Sequence, residues 1–498
     1  MMQNKPSSSP HTLNASNLVH ANNCRLPKYI PNAHSCGIAH IGIGAFHKAH
    51  QAVFTHELLN QQGGDWRIAA ISLRNPTARD QLAAQDGLYT LVEKSDGTVS
   101  YSVIASVAKV LVAPEDPTAV INLLADEAIK VVTLTITEKG YCQHKGALDI
   151  HSTDIRKDLA TPHTPTTMPG FLVAACAQRR AQQRSGFSVI SCDNLPHNGR
   201  ITRAVVIEFA ERIDPLLAEW INANVSFCSS MVDRIVPATT VEDITTTQNH
   251  IGLVDQATVI SEPFRQWVIE DNFCNARPDW EKVGALIVKD VTPYETMKLR
   301  LLNGSHSALA YLGFLAEHEY IHQAIADPQL LKLIEKLMDE EVTPTLQVPS
   351  GFDIETYKKN IRARFANSLV PYKTTQVAND GSQKLPQRLL LAADELLQAG
   401  IYPATITLII AAWFRFLEGE TPEGNGMEVN DPLASLLTPL AREYRHNEVE
   451  QVRKLMAAAG IFPISLSTHS KLIEDIAHWL KLLHQLGARA TIERFLQS

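Results

Sequence analysis

The chain has 498 residues, 45% of them hydrophobic and 20% charged, with a formal net charge of −8. A chain this long implies two or more domains, the composition is that of an ordinary globular protein, and no basic block is long enough for a nucleic-acid track. The seven cysteines (Cys24, Cys36, Cys142, Cys176, Cys192, Cys228 and Cys274) are scattered, odd in number and never spaced Cys-x-x-Cys. That points to a reducing, cytoplasmic setting and away from a structural zinc site.

Residues 1–36 are rich in Ser, Asn and Pro and contain no acidic residue and no apolar run. They read as a polar, flexible lead-in rather than a signal peptide, and arginine is too scarce for a transit peptide. Gly37 to Ile41 reads as a strand running into the turn Gly42-Ile43-Gly44-Ala45-Phe46, after which Phe46, Ala49, Val53 and Leu58 recur at helical spacing. Strand, Gly-x-Gly and helix form the first unit of a dinucleotide fold, with the helix N-terminus open to a pyrophosphate. The full Gly-x-Gly-x-x-Gly fingerprint is not met, because His47 stands at the third glycine position. A bare Gly-x-Gly also fits an ordinary tight turn.

A second strand runs from Trp66 to Leu73. Its end should carry an acid for the adenosine ribose of NAD, yet the sequence there is Ser72-Leu73-Arg74-Asn75. Arg74 fits either a 2′-phosphate or a solvated loop, so these residues leave NAD and NADP both open. Val131 to Thr137 is a buried-strand candidate ending in Glu138-Lys139, Phe187 to Ser191 is another ending in Cys192-Asp193-Asn194, and Met231 to Pro237 is a third containing Asp233. Ligands of open α/β sheets gather beyond the carboxyl ends of strands, which makes Glu138, Lys139, Asn194 and Asp233 candidates. Each also fits a plain turn or a solvated end.

After about residue 285 strand patterns fade and helical periodicity takes over, as in 389–397, 405–417 and 472–483. The expected organisation is therefore a lead-in over 1–36, an α/β Rossmann-type dinucleotide-binding domain over 37–285, and a mostly α-helical substrate domain over 286–498. The apolar run Ile406 to Phe414 is too short to span a bilayer. No membrane, nucleic-acid or obligatory protein partner is expected.

The second domain opens with Thr292-Pro293-Tyr294-Glu295-Thr296-Met297-Lys298-Leu299-Arg300-Leu301-Leu302-Asn303-Gly304-Ser305-His306. Thr292 and Glu295 have capping-box spacing, and Pro293 suits the first helical turn. At about 100° per residue, Glu295, Lys298, Asn303 and His306 fall within an arc of roughly 140°. A lysine half-buried on such a face loses solvation of its charged form, which lowers its pKa and makes it a usable base. The plainer alternatives are a Glu295–Lys298 surface ion pair, a capping role for Glu295, and a helix end at Asn303-Gly304. The stretch Asp380-Gly381-Ser382-Gln383-Lys384-Leu385-Pro386-Gln387-Arg388 reads as a turn and helix start or as a cationic contact to an acidic substrate.

These residues carry a family resemblance. The chain resembles the polyol-specific long-chain dehydrogenase/reductase family, the mannitol dehydrogenase family. The matching segments are Gly42 to His50, Thr135 to Tyr141, Ser191 to Asn194, Met231 to Pro237, Glu262 to Phe273, and Lys298 with Asn303 and His306. The resemblance implies a Rossmann-type domain, a helical domain, a site between them, and metal-independent hydride transfer with NAD, NADP not being excluded. It makes Lys298 the general acid/base, with Asn194 and Asn303 holding the reacting oxygen. His306 would orient the substrate and Glu295 would relay the proton to water. Gly42, Gly44, Ala45, Phe46, Arg74, Glu138, Lys139 and Asn194 would hold the cofactor, and Asp233 and Lys384 would line the substrate pocket. Mannitol dehydrogenases carry an arginine four residues before the Asp of the Asp380-Gly381-Ser382 turn, where this chain has Gln376. That departure suits a hexuronate branch converting D-fructuronate and D-mannonate; mannitol, another polyol or tagaturonate is the alternative. A uronate needs a cation for its carboxylate, and Lys384, Arg388 and Arg364 are the candidates.

Overall fold

The computed structural model describes residues 11–498, and the chain divides into two compact units, Met1–Thr292 and Pro293–Ser498. The first unit is built on six parallel strands: β1 (Cys36–Ile41), β2 (Arg67–Ser72), β3 (Val107–Val112), β4 (Val131–Leu134), β5 (Ser188–Ser191) and β6 (Ser226–Cys228). Their spatial order is β3-β2-β1-β4-β5-β6, the doubly wound arrangement in which the order reverses beside β1. Both faces are covered. Phe171, Val205 and Phe209 from crossover helices lie in the cluster on one side, and Val53, Phe54 and Leu58 lie in the cluster on the other. Strands buried on both faces need near-continuous apolar runs, which is why β1, β2, β4 and β5 were visible in the sequence, while β3 and β6 were not read from it.

Two strand readings change. Met231 to Pro237 gives only β7 (Ser230–Asp233), which pairs antiparallel with β8 (Gln266–Glu270) in a separate three-stranded sheet. β4 ends at Leu134 rather than Thr137, whose φ of 63° is left-handed and costs a β-branched residue strain.

The flexible lead-in is corrected for its described part; residues 1–10 lie outside the described residues. The Leu13 amide donates to the Val254 carbonyl at 2.8 Å and Arg25 bridges to Ser102. Leu13 is 0% exposed, packed with Leu88, Val103, Ala105, Ile251 and Leu253. A few apolar side chains spaced through a polar stretch are enough to anchor it.

The second unit is helical. Its described strand-like pairings are the isolated bridges Tyr320–Lys373 and Glu420–Gly426. Its central helix, Ala404–Leu417, is buried from Thr405 to Leu417 on every face, as expected of a helix apolar all round. The long helical run Ser470–Gln497 is two segments meeting at a kink at Gly487. Among the described residues no helix is long and apolar enough to cross a membrane.

Candidate active site

In the first unit the candidate residues lie at the carboxyl edge of β2, β1, β4 and β5. Beyond β1 the chain turns through Gly42, whose φ is 99° and whose added Cβ would stand 2.1 Å from the Thr135 carbonyl oxygen. Only glycine fits there. Gly44 is different: a Cβ there would meet nothing nearer than the Gly42 carbonyl oxygen at 3.9 Å. Gly44 and Ala45 are exposed, and helix α1 (Ala45–Ala49) starts after Gly44 with no side-chain cap. Phe46 stacks on His50, ring centroids 5.0 Å apart. The turn thus keeps an open space beside uncapped helix amides, and the residues present fit a pyrophosphate.

A buried histidine pair supports the turn. His40, inside β1, stacks on His47 with centroids 3.4 Å apart. Its ring nitrogens lie 2.8 Å from Thr133 Oγ1 and 3.0 Å from Thr135 Oγ1, and the Thr135 hydroxyl donates to the Gly42 carbonyl at 2.8 Å. That hydroxyl must therefore accept from His40 Nε2–H. Burial drives the His40 imidazole down to about 3, so it braces the turn as a neutral ring. His47 at the third glycine position is thus part of the support beneath the loop. A histidine inside an otherwise apolar strand was the available signal, and sequence reasoning gave His40 no role.

Arg74 is exposed in the loop after β2, where Ser72 Oγ donates to the Asn75 carbonyl and no acid stands at the strand end. Glu138 and Lys139 are exposed on the short turn Thr137–Gly140, and Asn194 is exposed just beyond β5. These last two loops are tied together by Asp193. Its carboxylate accepts from the amides of Ile136 (2.9 Å) and Thr137 (3.0 Å) and from the Tyr141 hydroxyl (2.8 Å). Partial burial raises the Asp193 carboxyl, while these donors oppose the shift. Asp193 was read as turn chemistry, and its bracing role was missed. Asp233 ends β7, in the separate three-stranded sheet; it is buried and close enough to act on the charge of His50.

A separate group of candidates lies on α2 (Thr292–Met297), then a π-helical turn, Lys298–Gly304, then α3 (Ser305–Leu315). The expected capping box is replaced. Thr292 is already helical, and its amide is capped by Asp290 Oδ1 at 2.9 Å. The single α-helical arc is also revised, because the π turn changes the angle between residues on either side of it. Glu295 is half-buried and Lys298 is only 7% exposed.

Asn303 Oδ1 and His306 Nε2 are buried without a hydrogen-bond partner among the described residues. Buried polar atoms are normally satisfied, so these two atoms suit a ligand. The His306 ring stacks on Phe365 at 5.1 Å and meets Tyr372 edge-on at 5.9 Å. Burial, then the charges of Arg388, Arg364 and Lys384, bring its pKa down to about 3. The neutral ring can hydrogen-bond a substrate oxygen but is no proton donor near neutrality.

The three cations named from the sequence all act on the charge of His306. Arg364 is buried on the helix Ile354–Ala366. Lys384 donates to the Asn379 carbonyl at 2.7 Å and lies 3.5 Å from Asp380. Arg388 donates to Ser307 Oγ at 3.0 Å and to the Asn303 carbonyl at 3.3 Å. Among the described residues no cluster of three or more His, Cys, Asp or Glu is placed to hold a metal, and all seven cysteines are free.

Residues 36–282 match the mannitol dehydrogenase Rossmann domain, and residues 290–484 match the mannitol dehydrogenase C-terminal domain. The chain belongs to the mannitol dehydrogenase family. Within this family of oxidoreductases, it is 40% identical over 461 residues to the D-mannonate oxidoreductase of Escherichia coli, covering 91% of this chain and 94% of that one. It is 37% identical over 491 residues to a mannitol 2-dehydrogenase of Phaeosphaeria nodorum, covering 97% and 85%. The Pseudomonas fluorescens mannitol 2-dehydrogenase, solved as a ternary complex with NAD and D-mannitol, superposes with a TM-score of 0.84 at 38% identity, over 98% of this chain and all of that one.

Proposed function

We propose that this family member is an NAD-dependent oxidoreductase of a sugar acid, interconverting D-fructuronate and D-mannonate. The observation that carries the acid is that three cations, Arg364, Lys384 and Arg388, act on a buried imidazole whose Nε2 has no hydrogen-bond partner among the described residues. A carboxylate can pair with a cation of this set, which a neutral polyol cannot do. The identity of 40% to a D-mannonate oxidoreductase supports the same reading.

The nicotinamide, when bound, supplies or takes up the hydride. The open turn at Gly44 and the exposed Arg74, Glu138 and Lys139 are the groups available to hold the dinucleotide. In the reductive direction negative charge grows on the carbonyl oxygen, and the amides of Asn194 and Asn303 donate to it. Preset donors of this kind are each worth about 3 kcal/mol of barrier. Lys298 delivers the proton to that oxygen, Glu295 passes protons on to water, and His306 and Asp233 orient the sugar.

A second reading, oxidation of mannitol or another polyol, is favoured by the 37–38% identities to mannitol 2-dehydrogenases. Steady-state NADH oxidation against fructuronate, tagaturonate and fructose separates the two, with NADPH as a parallel arm. Fructuronate is expected to give the highest kcat/KM. Turnover of fructose with none of fructuronate would replace the first reading by the second.

A further inference from the structure

Lys298 and His306 are eight residues apart, which on an uninterrupted α-helix separates them by about 80° around the axis. The turn between them is π-helical from Lys298 to Gly304. A wide turn that absorbs one extra residue brings the same pair to within roughly 20° of a common face. Such turns are rare and need support from outside the helix.

The support comes from a second π-helical stretch, Pro386–Leu390. Pro386 begins it, and a proline there removes one i→i−4 bond from the run that started at Gly381. Arg388 reaches from this stretch to the first. Its Nη1 donates to the Asn303 carbonyl inside the π turn and to Ser307 Oγ one turn later. Gly304 lets the two stretches touch: a Cβ there would stand 3.1 Å from both the Arg388 carbonyl oxygen and Leu389 Cδ2. Leu389 and Leu390 beside it are fully buried. Among the described residues Arg388 has no carboxylate partner, unlike Arg300, which pairs with Glu395 at 2.5 Å. Its fixed contacts are the helix it braces.

We propose that Arg388 is a positioning residue that locks the π turn Lys298–Gly304 and so sets the common facing of Lys298, Asn303 and His306. The catalytic consequence rests on the function proposed above; the bracing itself does not. Hydrogen–deuterium exchange on the intact protein tests the bracing. In Arg388→Met, amides of residues 298–307 should exchange faster while those of the first unit are unchanged, with partial recovery in Arg388→Lys. In the enzyme assay Arg388→Met should lower kcat about 10²-fold, the cost of a displaced catalytic group, with little change in the dissociation constant for NADH.

Unchanged exchange over 298–307 together with a raised KM for the sugar alone would leave Arg388 only its charge toward the substrate and overturn the brace. If Arg388→Met does not fold, Ser307→Ala removes one acceptor only. It should speed the same local exchange and lower kcat about threefold to tenfold; no change in either overturns the proposal. If the wild-type protein reduces none of the sugars, the functional reading fails, while the exchange result still decides the brace.

Discussion

The two units use glycine and burial in opposite ways. In the first unit the proposed ligand edge is backbone: Gly44 leaves space, Gly42 allows the turn, and the side chains proposed there, Arg74, Glu138, Lys139 and Asn194, are exposed. In the second unit the proposed ligand-facing groups are side chains withdrawn from water, Lys298 at 7% exposure and His306 with its Nε2 buried. Gly304 there serves helix packing rather than ligand access. A flexible, multiply charged cofactor can be held by amides and solvated charges, whereas moving one proton requires groups of fixed solvation and direction.

The largest expected effect tests the buried half. Lys298→Ala should cost about 10²–10⁴-fold in kcat, the range for a positioned acid or base, while fluorescence titration shows NADH binding unaltered. Retention of the wild-type rate would remove Lys298 from the chemistry.

The two glycines of the first turn sharpen the other half. Gly42→Ala forces a Cβ onto the Thr135 carbonyl at positive φ, so it should lower stability by more than about 1 kcal/mol in urea unfolding. Gly44→Ala meets open space, so stability should be unchanged while the NADH dissociation constant rises about tenfold. Equal stability losses in both variants would contradict the contrast drawn between them.

The smallest effect is on acid stability. His306 and His40 are held neutral, both down to about 3. The folded chain therefore binds fewer protons than the unfolded one below the ordinary imidazole value of about 6.5, and stability rises with pH there. The melting temperature should fall as pH drops from about 6.5 toward 3 and be insensitive to these groups above that window. His306→Gln should make the fall shallower. An unchanged slope would mean that His306 does not contribute to it.

Much of the fold could be read because its signals are local. β1 with its glycine turn, β2, β4, β5 and the helical second unit all follow from apolar runs and period. The common helix of Lys298, Asn303 and His306 was legible for the same reason. The π turn was not, since it depends on Gly304 and Arg388 meeting from segments far apart in the chain. The hairpin Tyr89–Ser95 with Thr98–Ile104 was passed over although Asp96-Gly97, with Gly97 at φ 81°, is a plain two-residue turn signal. Its strands carry polar residues on one face and lack the long apolar run that marked the others. Asp193 shows the reverse problem: a residue suited to any turn gives no hint that it ties two strand ends together.

The docked segment ahead of β1 bears on how the protein can be shortened. The match to the Rossmann family starts at residue 36, an inviting place to cut. A chain trimmed there would uncover Leu88, Val103, Ala105, Ile251 and Leu253, turning a sealed seam into an adhesive patch and making the trimmed protein prone to aggregate.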